Sequence, residues 1–493
     1  MKTCVVRRRF YATEADNATV SVELEPNFGT PKGALIFFTE SNANTDAYDT
    51  SLAYKNFGIG FSDGTNEVCV NITARDNQAT TDTQRSHYST RFVSCVDSTR
   101  AVTYYRVDTV TFAQDRIDLA FANSTPQTNG HMEAIIWAIA GDDVSVGVGY
   151  SSYNTTTGTS RVYSGLSFQP DFVFTTGILS TLNQTQSADA IISFGAATRS
   201  PLKQAGMSFW IDDGVTTKAN ACRLSATLMN SYISAAATVV SASIGSFSAN
   251  GWTMTNSGTF AADQVYNFMA IKSASPTDFA LLDTFATWTG SGQTFVGLGS
   301  TGFVPETIIG TITDATTRDA IQTASGTGTS AFNVFAGTAS SYSKLYNGTG
   351  TITYSTASAT VTGSGTSFWY FYPGVELYTP EGLDIGTVSS VASATSLTLT
   401  TNALINGTSQ SFTHSNYRQH CMSWIEQDGG TANTETNTLI SSKIFTTTAT
   451  SSTIFEAYLN DPDSRPGVSY RIVKTNSVTK LGWLAAFKGQ TNN

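Results

Sequence analysis

Three landmarks return in the same order three times along the chain, and a repeat of that length restricts the fold more than any other feature of the sequence. The first is an aromatic residue, a nearby proline and an apolar run. It occurs as Phe28 and Pro31 before Ala34-Leu-Ile-Phe, as Phe168 and Pro170 before Phe172-Val-Phe, and as Phe303 and Pro305 before Thr307-Ile-Ile. The second is an apolar strand ending in Asp-Gly, at Asp63-Gly64, Asp213-Gly214 and Asp428-Gly429. The third closes each copy, at Trp137 to Gly141, Phe268 to Ser273 and Leu484 to Gly489. The interval from the opening phenylalanine to the Asp-Gly aspartate is 35, 45 and 125 residues, and from there to the closing residue 78, 60 and 61. Copies two and three agree in the second interval, copy one fits least well, and copy three carries 80 extra residues between Phe303 and Cys421.

Strand chemistry accounts for each landmark. Proline cannot donate to a ladder and belongs at a strand's first residue or on an edge. The apolar run behind it suits a strand buried on both faces. Asp-Gly is a preferred hairpin turn, because glycine accepts positive φ. Charged residues are only 13% of the 493 and aromatics 11%, whereas disordered chains are rich in charge and poor in aromatics. The length exceeds what one core supports. The expected fold is all-β: three tandem, diverged, jelly-roll-like β-sandwich modules with independent cores. Their expected bounds are 1–150 with an N-terminal arm, 151–275, and 276–342 plus 417–493. Residues 343–416 are expected to form an inserted small β-domain of four or five short strands, and 184–206 a short helix.

The insert reads Ala359-Thr-Val-Thr-Gly-Ser-Gly-Thr-Ser-Phe368, then Pro373-Gly-Val-Glu-Leu377, then Ile385-Gly-Thr-Val-Ser-Ser-Val391 and Thr395-Ser-Leu-Thr-Leu-Thr400. This pattern resembles a small Ig-like or barrel-like β-module of bacteriophage tail and other virion proteins. Gly165-Leu-Ser-Phe-Gln-Pro-Asp-Phe-Val-Phe and Gly302-Phe-Val-Pro-Glu-Thr-Ile-Ile are similar to the opening of another phage structural module, without the tryptophan and basic residues that follow it there. The two resemblances cover under a third of the chain. They imply a virion structural protein on the particle exterior, assembled in the host cytoplasm. A tail-associated fibre or adhesin is favoured over a capsid decoration or head or neck fibre protein. Implied partners are other virion proteins, further copies of the chain (a homotrimer among the forms considered) and a host surface glycan.

The chemistry that residues alone suggest is sparse. A net charge of −10 gives the whole chain no attraction for nucleic acid. Arg7, Arg8 and Arg9 read as a solvated terminal arm. No apolar stretch approaches the roughly 20 residues of a membrane helix, and the valine pair at the N-terminus is too short for a secretory signal. Cys4, Cys69, Cys95, Cys222 and Cys421 form no zinc pattern and read as buried thiols, Cys69 and Cys95 being placed to face each other across strands. His87, His131, His414 and His420 lie in no metal or nucleophile motif, so no catalytic residue, metal or cofactor is expected. Asp212, Asp213, Glu426 and Asp428 are the only carboxylates worth weighing as a glycosidase pair, the second reading being a depolymerase. Their place at repeated hairpins favours turns. Asn460-Asp461-Pro-Asp463 is weighed as a calcium ligand set against a plain turn. The aromatic candidates for glycan contact are Tyr150 and Tyr153, beside Tyr163, and Trp369, Tyr370 and Tyr372 around Phe371.

Overall fold

The computed structural model describes the chain apart from residues 13–17, 26, 42–51, 76–80, 98–101, 123, 128–129, 184–186, 216–218, 228, 235–237, 263, 287–291, 298–302, 304, 314–317, 326–329, 339–344, 367, 369–370, 372–374, 416–418, 429–432, 442–444, 450–451, 460–468, 475–480 and 490–493; side chains at 187, 219–220, 238–239, 283–297, 322–332, 338–347, 419 and 423–480 lie outside it as well. The fold is all-β, and a 3-10 turn spans Pro276–Asp278. The first copy contains β1 (Lys2–Tyr11), β2 (Thr19–Glu23), β3 (Pro31–Ser41), β4 (Tyr54–Ser62), β5 (Glu67–Arg75), β6 (Thr83–Tyr88), β7 (Val93–Val96), β8 (Thr103–Ala113), β9 (Arg116–Phe121) and β10 (His131–Ala140). They form a large sheet in the order β1-β10-β3-β4-β5-β6 and a small one in the order β2-β9-β8-β7. Ten strands split six and four is a larger sandwich than a jelly roll of eight.

The same strand order recurs twice. In the second copy the large sheet runs Ser145–Ser152, Gln264–Lys272, Phe172–Thr181, Ala190–Arg199, Leu202–Ile211, Ala219–Ser225. In the third it runs Phe279–Ala286, Leu481–Lys488, Pro305–Thr313, Ser330–Thr338, Gln419–Asp428, Asn433–Ser441. Each has its own four-stranded partner sheet. The opening prolines all introduce the equivalent of β3, and the closing runs are all the equivalent of β10. Asp-Gly does not keep register. Asp63-Gly64 follows β4, whereas Asp213-Gly214 and Asp428 follow the equivalents of β5. Copy one matched a hairpin one strand early, which explains its short first interval and long second one. The helix expected at 184–206 is replaced by Ser187–Ala188, Ala190–Arg199 and the start of Leu202–Ile211. Ala190-Ile-Ile-Ser-Phe-Gly-Ala-Ala-Thr-Arg is apolar on both strand faces, so helical and strand periodicities cannot be told apart there.

The expected independent cores are corrected in one respect. Along β3, Ala34, Ile36 and Phe38 face the small sheet of their own copy, and Leu35 and Phe37 face away from it. The outward set joins a core shared by all three copies, with Phe57, Ile59 and Trp137 from the first, Phe172, Phe174 and Phe194 from the second, and Ile309, Trp483 and Phe487 from the third. Ring pairs cross each boundary: Phe37 to Phe194 at 5.4 Å, Trp137 to Phe487 at 4.6 Å, and Phe194 to Trp483 at 5.2 Å. The contacts are cyclic. β6 lies against Phe172–Thr181 and Ala190–Arg199, Ala219–Ser225 against Pro305–Thr313 and Ser330–Thr338, and Asn433–Ser441 against β3 and β4. The large sheets thus enclose a common axis with approximate threefold symmetry. Two edge strands are covered from the neighbouring copy: Ser187–Ala188 pairs with β6 and Ile321–Ser325 with Ala219–Ser225.

The insert interrupts the third copy between its equivalents of β4 and β5. The first copy turns there through Asp63 to Asn66, and the second through Ser200-Pro201. The inserted domain has eight strands where the sequence suggested four or five, in one sheet closed over Ile352, Val361, Phe368, Leu377, Ile385, Leu397, Leu399 and Phe412. Its own core makes it dispensable to the trunk. Replacing residues 339–418 by a four-residue turn is expected to leave the trunk's unfolding free energy in urea titration within about 0.5 kcal/mol of wild type; loss of the folded trunk would contradict that separation.

Candidate functional site

The residues most suggestive of chemistry in the sequence are used to join the copies. Asp213 accepts from the Thr83 backbone N–H at 2.8 Å, and Gly214 and Thr81 exchange backbone hydrogen bonds across the same boundary, Gly214 N–H to Thr81 O and Thr81 N–H to Val215 O, both 2.9 Å. Asp189 accepts from the Asp213 N–H at 3.0 Å. Burial and then the Asp189 charge raise the Asp212 carboxyl, and burial with Asp82 and Asp189 raises Asp213. Asp63 caps its own turn, accepting from Thr65 N–H and Asn66 N–H, while its other oxygen accepts from Val148 N–H of the second copy at 3.0 Å. Glu426 and Asp428 have side chains outside the described residues, as has the Asn460 to Asp463 run.

Two arginines on equivalent strands, missed in the sequence, each feel the charge of an aspartate in the following copy. Arg85 on β6 donates to the carbonyls of Ala188 and Asp189 at 2.6 and 3.0 Å. Arg223, on the equivalent strand of copy two, has its pKa lowered by burial and partly restored by Asp319 of copy three. Asp189 and Asp319 both adopt positive φ, 64° and 62°. A recurring Arg with an Asp in the following copy's strap was the available signal, but 138 residues separate the arginines and 130 the aspartates, so no fixed period reveals it. The third boundary uses Glu306, which accepts from Thr3 N–H at 2.8 Å, and Thr307 Oγ1, which accepts from Trp137 Nε1 at 2.9 Å.

The arginine run is not a solvated arm. β1 pairs along its length with β10. Arg7 and Arg9 converge on Glu133, with Nε to carboxylate distances of 3.3 and 2.5 Å, and His131 Nε2 lies 3.2 Å from the same carboxylate. Arg8 faces the other way, 5.1 Å from the Phe10 ring centroid. Burial opposes ionisation of Glu133, but Arg7, Arg9 and the neighbouring His131 outweigh it and hold the carboxyl well below its usual range. His87 sits at the first boundary, 2.5 Å from Asn267 Oδ1, with its Nδ1 accepting from Asn183 N–H. Burial lowers its pKa to about 4, and His414 in the insert is lowered to about 4 in the same way. His420 is buried.

The aromatic candidates do not share a surface. Tyr150 stays exposed at 41%, whereas Tyr153 is 2% exposed, which corrects its assignment to an outer face. Its ring stacks on Phe260 at 3.9 Å and its hydroxyl lies 2.9 Å from that of Tyr232. Tyr163 is half-buried against Trp252 and Phe268. Trp369, Tyr370 and Tyr372 lie outside the described residues; Phe368 and Phe371 beside them are buried. All five cysteines are buried and none is in a disulfide, and burial pushes the Cys69 and Cys95 thiols up. Those two belong to the same inter-sheet core, on β5 and β7.

Among the described residues no three His, Cys, Asp or Glu side chains are grouped to hold a metal. Among the described residues, surface hollows with room for a small molecule include two. One, of about 710 Å³, is lined by Lys2, Phe28, Lys32, Gln114, Asp142 and Asp143. The other, of about 420 Å³, lies between copies two and three beside Lys203, Phe279, Phe303 and Lys488. Neither lining contains a carboxylate beside a histidine, serine–histidine pair or second candidate acid from the repeated turns. No helix among the described residues is long and apolar enough to cross a membrane. No protein-family model matches the chain, and no curated protein is detectably similar to it.

The buried ionic groups give two acid limbs of stability. His87 is depressed from 6.5 to about 4, so its contribution is complete above pH 6.5 and falls away between 6.5 and 4. Glu133 is depressed from 4.5, so its contribution is complete above 4.5 and is lost as pH falls further. Urea unfolding at stepped pH is expected to show H87Q with a shallower slope between 6.5 and 4. E133Q is expected to lose about 3–5 kcal/mol at pH 7, with a flattened dependence below 4.5. Wild-type slopes in both variants would refute these assignments.

Proposed function

We propose that this chain is a structural protein of a bacteriophage virion, a tail-associated fibre or adhesin assembled in the host cytoplasm and carried on the particle exterior. The observation that carries the reading is the use of the carboxylates Asp63 and Asp213 as joints between repeated sandwiches, together with the phage-like pattern of the domain grafted onto the third copy. A trunk closed on itself gives a rigid base, and an autonomous domain at a loop position is the part free to be displayed. Proposed partners are other virion proteins, further copies of the chain and a host glycan met through Tyr150 or the aromatic run at 369–372.

A capsid decoration or head or neck fibre protein is the second reading, favoured by the approximate threefold symmetry of the trunk, which suits a threefold site on a shell. Electron microscopy of intact particles labelled with an antibody to the chain separates these readings. Label along the tail is expected. Label on the head selects the second reading. Absence of label from purified particles, or release of reducing ends from host polysaccharide by the isolated protein, would overturn both in favour of another class.

A further inference from the structure

We infer that the far tip of the inserted domain is a docking face for a polypeptide surface that is both apolar and basic. The inference does not rest on the virion reading, since it concerns only the surface this domain presents. The domain joins the trunk through Leu345–Asn347 paired with Thr413–Ser415. Gln410 pairs with Ile352 and Gly407 with Tyr354, so the strands run away from that stem towards residue 407. Three turns meet at the far end, at 355–358, 379–383 and 400–406. They are tied together by Thr356 N–H to Asn406 Oδ1 at 2.9 Å, Asn402 Nδ2 to Thr356 O at 3.3 Å and Leu404 N–H to Ile385 O at 3.0 Å.

Two leucines stand out from this end, Leu383 at 59% and Leu404 at 58% exposure. Single exposed leucines are ordinary. The Leu404–Ile385 backbone bond sets the two segments that carry this pair next to each other, in a domain that buries Leu377, Leu397 and Leu399. Its electrostatics are one-sided. Between Leu345 and Ser415 the only charged residues are Glu376, Glu381 and Asp384, with no lysine or arginine. Glu381 and Asp384 flank Leu383 and are exposed. The field reaches neighbouring groups: the Tyr378 phenol is pushed up to about 12 by burial and by Glu376 and Asp384, and Tyr354 is raised by burial and by Glu381.

Complementarity then selects the occupant. An apolar pair rimmed by carboxylates attracts an apolar surface rimmed by Lys or Arg and repels nucleic acid or an acidic protein. A second copy of the same tip would set carboxylate against carboxylate. A sugar ring is best met by an aromatic plate, and none of the described tip residues supplies an exposed one.

The test uses the full chain over an immobilised peptide of alternating Lys and Leu, with Glu/Leu and Lys/Ser peptides as controls. Binding to Lys/Leu is expected, with affinity falling about tenfold in L383S/L404S and about tenfold in E381Q/D384N. All four positions are exposed, so both variants should keep the wild-type melting temperature, and the near-isosteric pair serves if the serine pair does not fold. Four results would overturn the proposal. These are no binding to Lys/Leu, equal binding to Lys/Ser, unchanged affinity in E381Q/D384N, or wild-type self-association or glycan-array binding abolished by L383S/L404S.

Discussion

Leu35, Phe37, Phe57 and Ile59 point out of the sandwich that contains them and into two others, and the rest of the trunk depends on that burial. A strand that is apolar on both faces needs two partners. Within each copy the four-stranded sheet supplies one, covering residues such as Ile36 and Phe38. The remaining face would leave Phe37, Trp137, Phe194 and Trp483 in water, each forfeiting roughly 1.5–3 kcal/mol of burial. Three large sheets closing around one axis remove all of that surface at once. Two would leave the third exposed.

Closure also dictates where charge can go. A chain with 13% charged residues has few to spare, and some of them are set at the boundaries and in the first copy's axial face. Asp213, Asp63 and Glu306 satisfy backbone N–H groups of a neighbouring copy, which would otherwise be buried without partners. Arg7, Glu133 and Arg9 form a compact ionic group on the side of the large sheet that faces the axis. Such groups do little for net stability compared with apolar residues of the same size, yet they are costly to break singly. That asymmetry gives register specificity to boundaries that flat apolar faces would leave free to slide.

Much of this was legible in the chain. The prolines before β3 and its equivalents, and the closing runs that became β10 and its equivalents, were marked by residue types with a strand-specific reason to be there. The Asp-Gly landmark misled in copy one, because Asp-Gly serves any hairpin and Asp63 merely occupies a different one. Ring closure was not legible. Leu35 and Ile36 look alike in sequence, and only the arrangement of the other two copies decides which face each meets. Tyr153 was misread for a related reason: nothing local distinguishes a tyrosine that stacks on Phe260, more than a hundred residues away, from one that faces solvent. The arginine run looked like a tail because Glu133, which neutralises it, lies at the other end of the first copy.

The shared core is tested most directly by a double-mutant cycle on Trp137 and Phe487, which belong to different copies and lie 4.6 Å apart between ring centroids. With Trp137→Phe and Phe487→Leu measured singly and together by urea unfolding, a coupling of about 0.5–1.5 kcal/mol is expected for an aromatic pair in contact. Strict additivity of the two single effects would mean that the copies bury their inner faces separately, and the closed trunk would have to be abandoned.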